Sequence, residues 1–356
     1  MRITGNKGEW SELYALLKLL SLGKLYAADE NINKVESVYF PIIQILRNPG
    51  RLDHVEFVLK EDMVDIFSSG NFLKTIPRQW ISEASKKVFK GIVSGNNAAF
   101  EIVEAPEIMK EMNIDRISAS SADKTDITMQ LHDIQTGYNP ICGFSIKSQM
   151  GNPPTLLNAS AATNFVYQIE NISDDDMNRL NNIDSRTKLL DRMAFIHKNH
   201  SISFLGVSNK TFRDNLTLID SNMEIILSEL LMDYFLGNPP SCEDLIERLE
   251  NKNPLHYPRK GFYEIKFKHF LSSVALGLKP TVPWDGTDEA NGGYVIIKQD
   301  GDVVAYHIYN RNAFEKYLLH NTKLEKGSTS RHEYGSIYKE NGKYYLKLNL
   351  QVRFKN

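Results

Sequence analysis

The sequence predicts an α/β (or α+β) fold, a mixed sheet flanked by helices with a smaller β-rich region at the C-terminal end. Three observations predict it. Leu13, Leu16, Leu17 and Leu20 recur at helical spacing near the start, and Ile225, Ile226, Leu230, Leu231 and Tyr234 do so further on. Between Asp126 and Gln149 two segments alternate apolar and polar residues with period two, as half-buried strands do. Past Gly293, Asp300-Gly301 and Asn341-Gly342 each separate two apolar alternations, a tight-turn signature.

Taken in order, Gly5-Asn6-Lys7-Gly8 is a turn and Glu9 to Leu22 an amphipathic helix that Gly23 ends. Glu9 and Glu12 project from one side of its first turns. Lys34 to Leu46 holds a strand interrupted by Pro41, and Asn48-Pro49-Gly50 is a turn. Ile81 to Phe89 and Glu107 to Asn113 read as helices. The segment from Asp123 to Gly151 reads as a hairpin, closed by Gln135-Thr136-Gly137-Tyr138-Asn139-Pro140 and broken by Gly151-Asn152-Pro153-Pro154. Folding it between Thr136 and Gly137 sets Asp126 across from Lys147. Phe165, Tyr167 and Ile169 alternate again, and Ser173 followed by three aspartates is a helix N-terminus.

Asn222 to Leu236 is a strongly apolar helix. Gly237-Asn238-Pro239-Pro240 ends it and divides the chain into 1–237 and 238–356. Ser241 with Asp244 forms a loose capping box, and Phe262 to Leu276 is helical. Tyr294 to Lys298, Val303 to Tyr309, Tyr334 to Lys339 and Lys343 to Phe354 are strands, with a short helix from Asn312 to His320 among them.

Composition narrows the class. With 24% charged and 42% hydrophobic residues, the 356-residue chain reads as soluble and globular, with no apolar run to span a bilayer. MRITGNKGEW lacks the apolar core of a signal peptide, so the cytoplasm is expected. A net charge of −2 argues against indiscriminate coating of nucleic acid but not against a DNA enzyme, because faces differ in charge. Cys142 and Cys242 offer no metal spacing, and His197 and His200 have no partner motif for zinc. There is no phosphate loop that would imply ATP and no GxSxG nucleophile turn.

The chemistry concentrates in the hairpin. One polar face carries Asp126, Ser145, Lys147 and Gln149. A carboxylate can hold a hard cation that keeps positions open for phosphate and water, and a lysine can hold that water and offset charge on the phosphate. This is what a magnesium-dependent phosphodiesterase needs. The plainer account is an ordinary solvated strand face.

The pattern resembles the PD-(D/E)XK nuclease superfamily, with Thr125-Asp126 as the PD and Ser145-Ile146-Lys147 as the (D/E)XK. It departs at Ser145, where an acid is expected and a hydroxyl is a far poorer ligand. Longer phrases, GNKGEWSELYALLKLL, GFSIKSQMG with PTLLNASAATNF, and STSRHEYGSIYKENGKYYLKLNLQVRF, are similar to the HpaII family of type II restriction endonucleases. That resemblance implies a PD-(D/E)XK-like nuclease core in 1–237 and DNA recognition in 238–356. It also implies Mg2+, double-strand breaks at a short palindromic or near-palindromic site of CCGG-like kind, a homodimer on DNA, and a cognate DNA methyltransferase. The recognised bases themselves do not transfer.

Asp126, Lys147 and Ser145 are then the catalytic candidates. Glu9, ahead of Glu12, is the one to supply the acid that Ser145 cannot, with Asp126 and Glu9 as metal ligands. Gln149, Ser328, Thr329, Ser330, Arg331 and His332 are the DNA-binding candidates, Arg331 and His332 for base edges. Two other classes stay open. One is a catalytically weak or inactive sequence-specific DNA-binding protein; the other is a serine hydrolase using His197, His200 or His307.

Overall fold

The computed structural model describes residues 3–29, 31–47, 54–119, 124–307 and 310–355. The expected turn at Asn48-Pro49-Gly50 and Asp123 at the head of the hairpin lie outside them. In chain order, helix α1 (Lys7–Leu22) precedes strands β1 (Lys24–Ala28), β2 (Lys34–Arg47), β3 (Val55–Leu59), β4 (Met63–Ser68) and β5 (Asn71–Pro77). Helices α2 (Arg78–Ser94) and α3 (Ala105–Glu111) follow, then strands β6 (Ile127–Leu131), β7 (Ile141–Ser148), β8 (Thr155–Leu157) and β9 (Asn164–Glu170). Next come α4 (Asp174–Asn181), α5 (Lys188–Asn199), β10 (Ser201–Val207), α6 (Lys210–Ile219), α7 (Met223–Phe235), α8 (Cys242–Lys252) and α9 (Phe262–Leu276). The chain ends with β11 (Gly293–Ile297), β12 (Val303–His307), α10 (Arg311–Asn321), β13 (Thr322–Leu324), α11 (Thr329–His332), β14 (Ile337–Glu340), β15 (Lys343–Asn349) and β16 (Val352–Phe354). The fold is mixed α/β.

Two compact units result, Met1–Pro154 with Asp288–Phe314, and Thr155–Thr287 with Glu315–Asn356. The division is interleaved, where the sequence reading drew one cut after Gly237. Among the described residues no helix is long and apolar enough to cross a membrane.

The first unit is built on a nine-stranded mixed sheet in the order β1-β12-β11-β7-β6-β2-β3-β4-β5. Helix α1 buries Trp10, Leu13, Leu16, Leu17 and Leu20 in its core, beside Phe57, Ile81, Val88, Met129 and Phe144. Its ends are well defined. Asn6 caps the start with a full capping box to Glu9, and Gly23 closes it in the left-handed region at φ 64°, its N–H bonding Leu19 O. Pro41 does not interrupt β2. It sits where β2 leaves β1 and begins to pair with β6 at Ile42, so its missing N–H removes no ladder bond.

Two further differences bear on the site. β6 and β7 pair as expected, but with Ile127 opposite Phe144 and Thr128 opposite Gly143. Asp126, whose N–H bonds Phe144 O at 2.9 Å, therefore stands nearest Ser145, not Lys147. A shift of two residues leaves every side chain on its expected face. And β11 and β12, read as part of the C-terminal region, belong to the large sheet, β11 lying parallel to β7 with Tyr294 opposite Ser145.

The second unit has a four-stranded antiparallel sheet, β10-β9-β15-β14, and a three-stranded one, β13-β16-β8. Phe165, Tyr167 and Ile169 are buried as their alternation requires. In α7 Ile226, Leu230 and Leu231 are buried, but Ile225 is 38% exposed, one position off the apolar stripe. Ser241 precedes α8 without a side-chain cap bond, so the capping box expected there does not form. Both cysteines are buried and free, and burial pushes the Cys242 thiol up to about 12.

Candidate active site

Asp126 ends the lead-in to β6, and its carboxylate turns toward β7. Oδ2 accepts from Ser145 Oγ at 3.0 Å and from the Ile146 N–H at 2.7 Å. Lys147, two residues on and so on the same strand face, donates from Nζ to Ser145 Oγ at 2.8 Å. A continuous chain, Lys147 to Ser145 to Asp126, results. Ser145 is buried and serves as the relay between cation and carboxylate. Nζ also lies 4.9 Å from the centroid of the Tyr294 ring, on the neighbouring parallel strand. Burial pushes the Lys147 ammonium below its usual pKa, while the charges of Asp126 and Glu12 oppose that shift.

The opening helix brings a second carboxyl, Glu12, within electrostatic reach of Asp126. Glu9 is hydrogen-bonded into the helix cap, its Oε2 accepting the Asn6 N–H at 2.8 Å. Glu12 faces inward, with Oε2 accepting the Ala119 N–H at 2.7 Å. Its carboxyl is pushed up to about 8, chiefly by burial and then by the negative charge of Asp126, against the opposing pull of the Ala119 N–H and Arg47. The Arg47 guanidinium, at the end of β2, donates to Arg116 O at 2.7 Å and is itself held below its usual range by burial.

A divalent cation needs oxygen donors brought to one point. Among the described residues no group of three or more His, Cys, Asp or Glu converges. Asp126 and Glu12 form an electrostatically interacting pair, the anionic form of Glu12 being disfavoured by the charge of Asp126. A small hard dication is held by one or two carboxylates, with waters and substrate phosphate completing its shell. Asp126 keeps Oδ1 free of described partners. The pair fits such an ion.

Gln149 lies just past the end of β7, exposed, its N–H bonding Ile297 O. The other DNA-binding candidates stand in the second unit. Ser328 caps the short helix α11, accepting the Arg331 N–H at 3.4 Å, and its Oγ is 3.3 Å from Ser330 Oγ. Arg331 is exposed, with no partner for its guanidinium among the described residues. Behind this helix lies an amide network that spacing does not reveal. Buried Asn349 donates to Asn164 Oδ1 at 2.7 Å, and Asn164 donates to His332 O at 2.9 Å. Of the histidines put forward for a hydrolase, His197 is exposed and His200 Nδ1 is 3.0 Å from Asn171 O; neither bonds a serine.

The HpaII restriction endonuclease family model matches residues 6–354. The chain belongs to the HpaII restriction endonuclease family. Type II restriction enzyme HpaII of Haemophilus parainfluenzae is 39% identical to it over 356 residues, which cover 99% of this chain and 98% of that protein. No solved structure matches. In this HpaII-family endonuclease Ser145 donates to the Asp126 carboxylate, and Glu12 lies in electrostatic reach of the same carboxylate.

Proposed function

We propose that this restriction endonuclease makes Mg2+-dependent double-strand breaks at a short palindromic or near-palindromic DNA site, with a CCGG-like sequence the first to test. The observation that carries the reading is the Lys147–Ser145–Asp126 chain with Glu12 coupled to it. In this reading Asp126 and Glu12 hold Mg2+, which when bound polarises the scissile phosphate and acidifies water. Lys147 holds the attacking water and, being desolvated, gives up its proton more readily than an ordinary lysine. In its charged form the same side chain offsets the charge that builds on the phosphate. Ser145 fixes Lys147 and Asp126 relative to each other.

One active centre per chain and two strands to cut favour a symmetric dimer on the DNA, two chains per duplex. A cognate DNA methyltransferase would protect the same site. In place of a single cut after Gly237, the nuclease chemistry is assigned to the first unit, which carries Asp126, Ser145 and Lys147, and recognition to the second, which carries Ser328 to His332. Digesting genomic DNA with Mg2+ and sequencing the fragment ends tests the proposal. One recurrent short site at the ends is expected; binding without cleavage would favour the inactive DNA-binding protein that Ser145 leaves open.

Recognition has its own expected result. A guanidinium that donates two bonds to guanine contributes about 1–3 kcal/mol of discrimination. With Ca2+ in place of Mg2+, Arg331→Ala should lose affinity for the cut site by that amount and little for random duplex. Arg331→Lys, without the planar fork, should rescue only in part. Equal losses on both duplexes with a shallower salt dependence would make Arg331 a phosphate contact.

A further inference from the structure

A cavity of about 730 Å3 opens beside Glu12 in the first unit. Its wall includes Ser148, one residue past Lys147, and the first turn of α1. The two are joined: Ser11 Oγ donates to Lys7 O at 2.7 Å and lies 2.8 Å from Ser148 Oγ, which also accepts the Met150 N–H at 3.1 Å. The cavity is thereby fixed to the strand that carries the lysine.

Its polar lining is rich in groups that can donate. Lys7, Asn96, Asn97 and Asn152 surround it, and Glu12 is the one carboxylate among the lining residues. Among the described residues none of those four side chains has a hydrogen-bond or ion-pair partner, unlike Asn6, whose Oδ1 is taken by the helix cap. Asn96, Asn97 and Asn152 are exposed, and exposed Gly151 adds no side chain to the rim, so a long polymer can pass. An ammonium and three amide NH2 groups match phosphate oxygens, which such groups contact to fix register.

We propose that this cavity seats the sugar-phosphate backbone next to the cleaved linkage, with Lys7, Asn96, Asn97 and Asn152 as its phosphate contacts. The assignment rests on the reading of Glu12 as an active-site carboxylate. Lys7 supplies the charge and the amides supply direction, holding the strand so that the neighbouring phosphate reaches Asp126 and Lys147.

The test uses the full-length protein in Ca2+, the duplex bearing the site found by end sequencing, and a random duplex, over a range of salt. Lys7→Ala is expected to weaken both duplexes by the same factor and to reduce the slope of log affinity against log salt by about 0.9, one phosphate contact. Asn97→Ala and Asn152→Ala are expected to weaken both alike with the slope unchanged. A single neutral methylphosphonate beside the cut should weaken the wild type more than it weakens Lys7→Ala; excess inorganic phosphate should not compete. A wild-type slope in Lys7→Ala, or losses confined to the cognate duplex, would overturn the proposal. Phosphate competition at equal strength on both proteins would do so too. Should Glu12→Gln cleave normally, the active-site reading falls while the binding results stand apart from it.

Discussion

Asp126→Asn and Lys147→Ala should each lower double-strand cleavage by about 10²- to 10⁴-fold while leaving binding to the cut site in Ca2+ nearly intact. The range is that of a lost general acid–base or electrostatic group in a desolvated site. Asn keeps the shape of Asp126 and can still accept the Ile146 N–H, but it removes the charge that holds a cation and balances Lys147. Ala at 147 removes the donor to Ser145 and the positive charge linked through it to the carboxylate. Ser145→Ala should be milder. It breaks two hydrogen bonds to charged groups, worth about 1.5–3 kcal/mol each, but leaves both charges in place and room for water to take the place of the hydroxyl. Single-turnover cleavage rates with saturating enzyme separate the three. Either of the first two variants cutting at the wild-type rate would remove that residue from the active centre.

The hairpin was legible because its two strands alternate cleanly, and its register was not. Thr136 and Gly137 look like the turn, yet Asp133 organises it, accepting the Gln135 N–H at 2.9 Å and the Thr136 hydroxyl at 2.6 Å while its own N–H bonds Tyr138 O. An aspartate folding back on the next residues is a local signal that could have set the register. The face survived because the error was even. The parallel partner β11 lies far along the chain, and no local periodicity encodes such a pairing. The choice between Glu9 and Glu12 was open to spacing alone, since residues three apart share a helix side. Asn6-Lys7-Gly8-Glu9 stands in capping-box order, which commits Glu9 to the backbone and leaves Glu12 as the candidate for the site. The Asn164–Asn349 network behind α11 joins residues from β9 and β15, and nothing in either segment marks it.

Glu12→Gln should lower cleavage by at least about 10²-fold, the scale of one electrostatic group in a desolvated site, and raise the Mg2+ concentration for half-maximal rate. Glu9→Gln should change neither by more than a few-fold. The amide at position 9 still reaches back to the Asn6 N–H, since glutamine also closes a capping box, so stability holds. Glu9→Ala should cost about 0.5–2 kcal/mol of stability, the range for a lost cap, with the cleavage rate of the folded fraction unchanged. At Glu12 the amide keeps the volume and can still accept the Ala119 N–H, so folding is expected to survive. What disappears is the carboxyl that a bound dication would draw into its charged form beside Asp126. Measuring rate against Mg2+ concentration together with thermal unfolding distinguishes the two roles. Loss of cleavage in Glu9→Gln with normal cleavage in Glu12→Gln would return the missing acid to Glu9. Normal cleavage in both would mean that Asp126 holds the ion as the sole carboxylate.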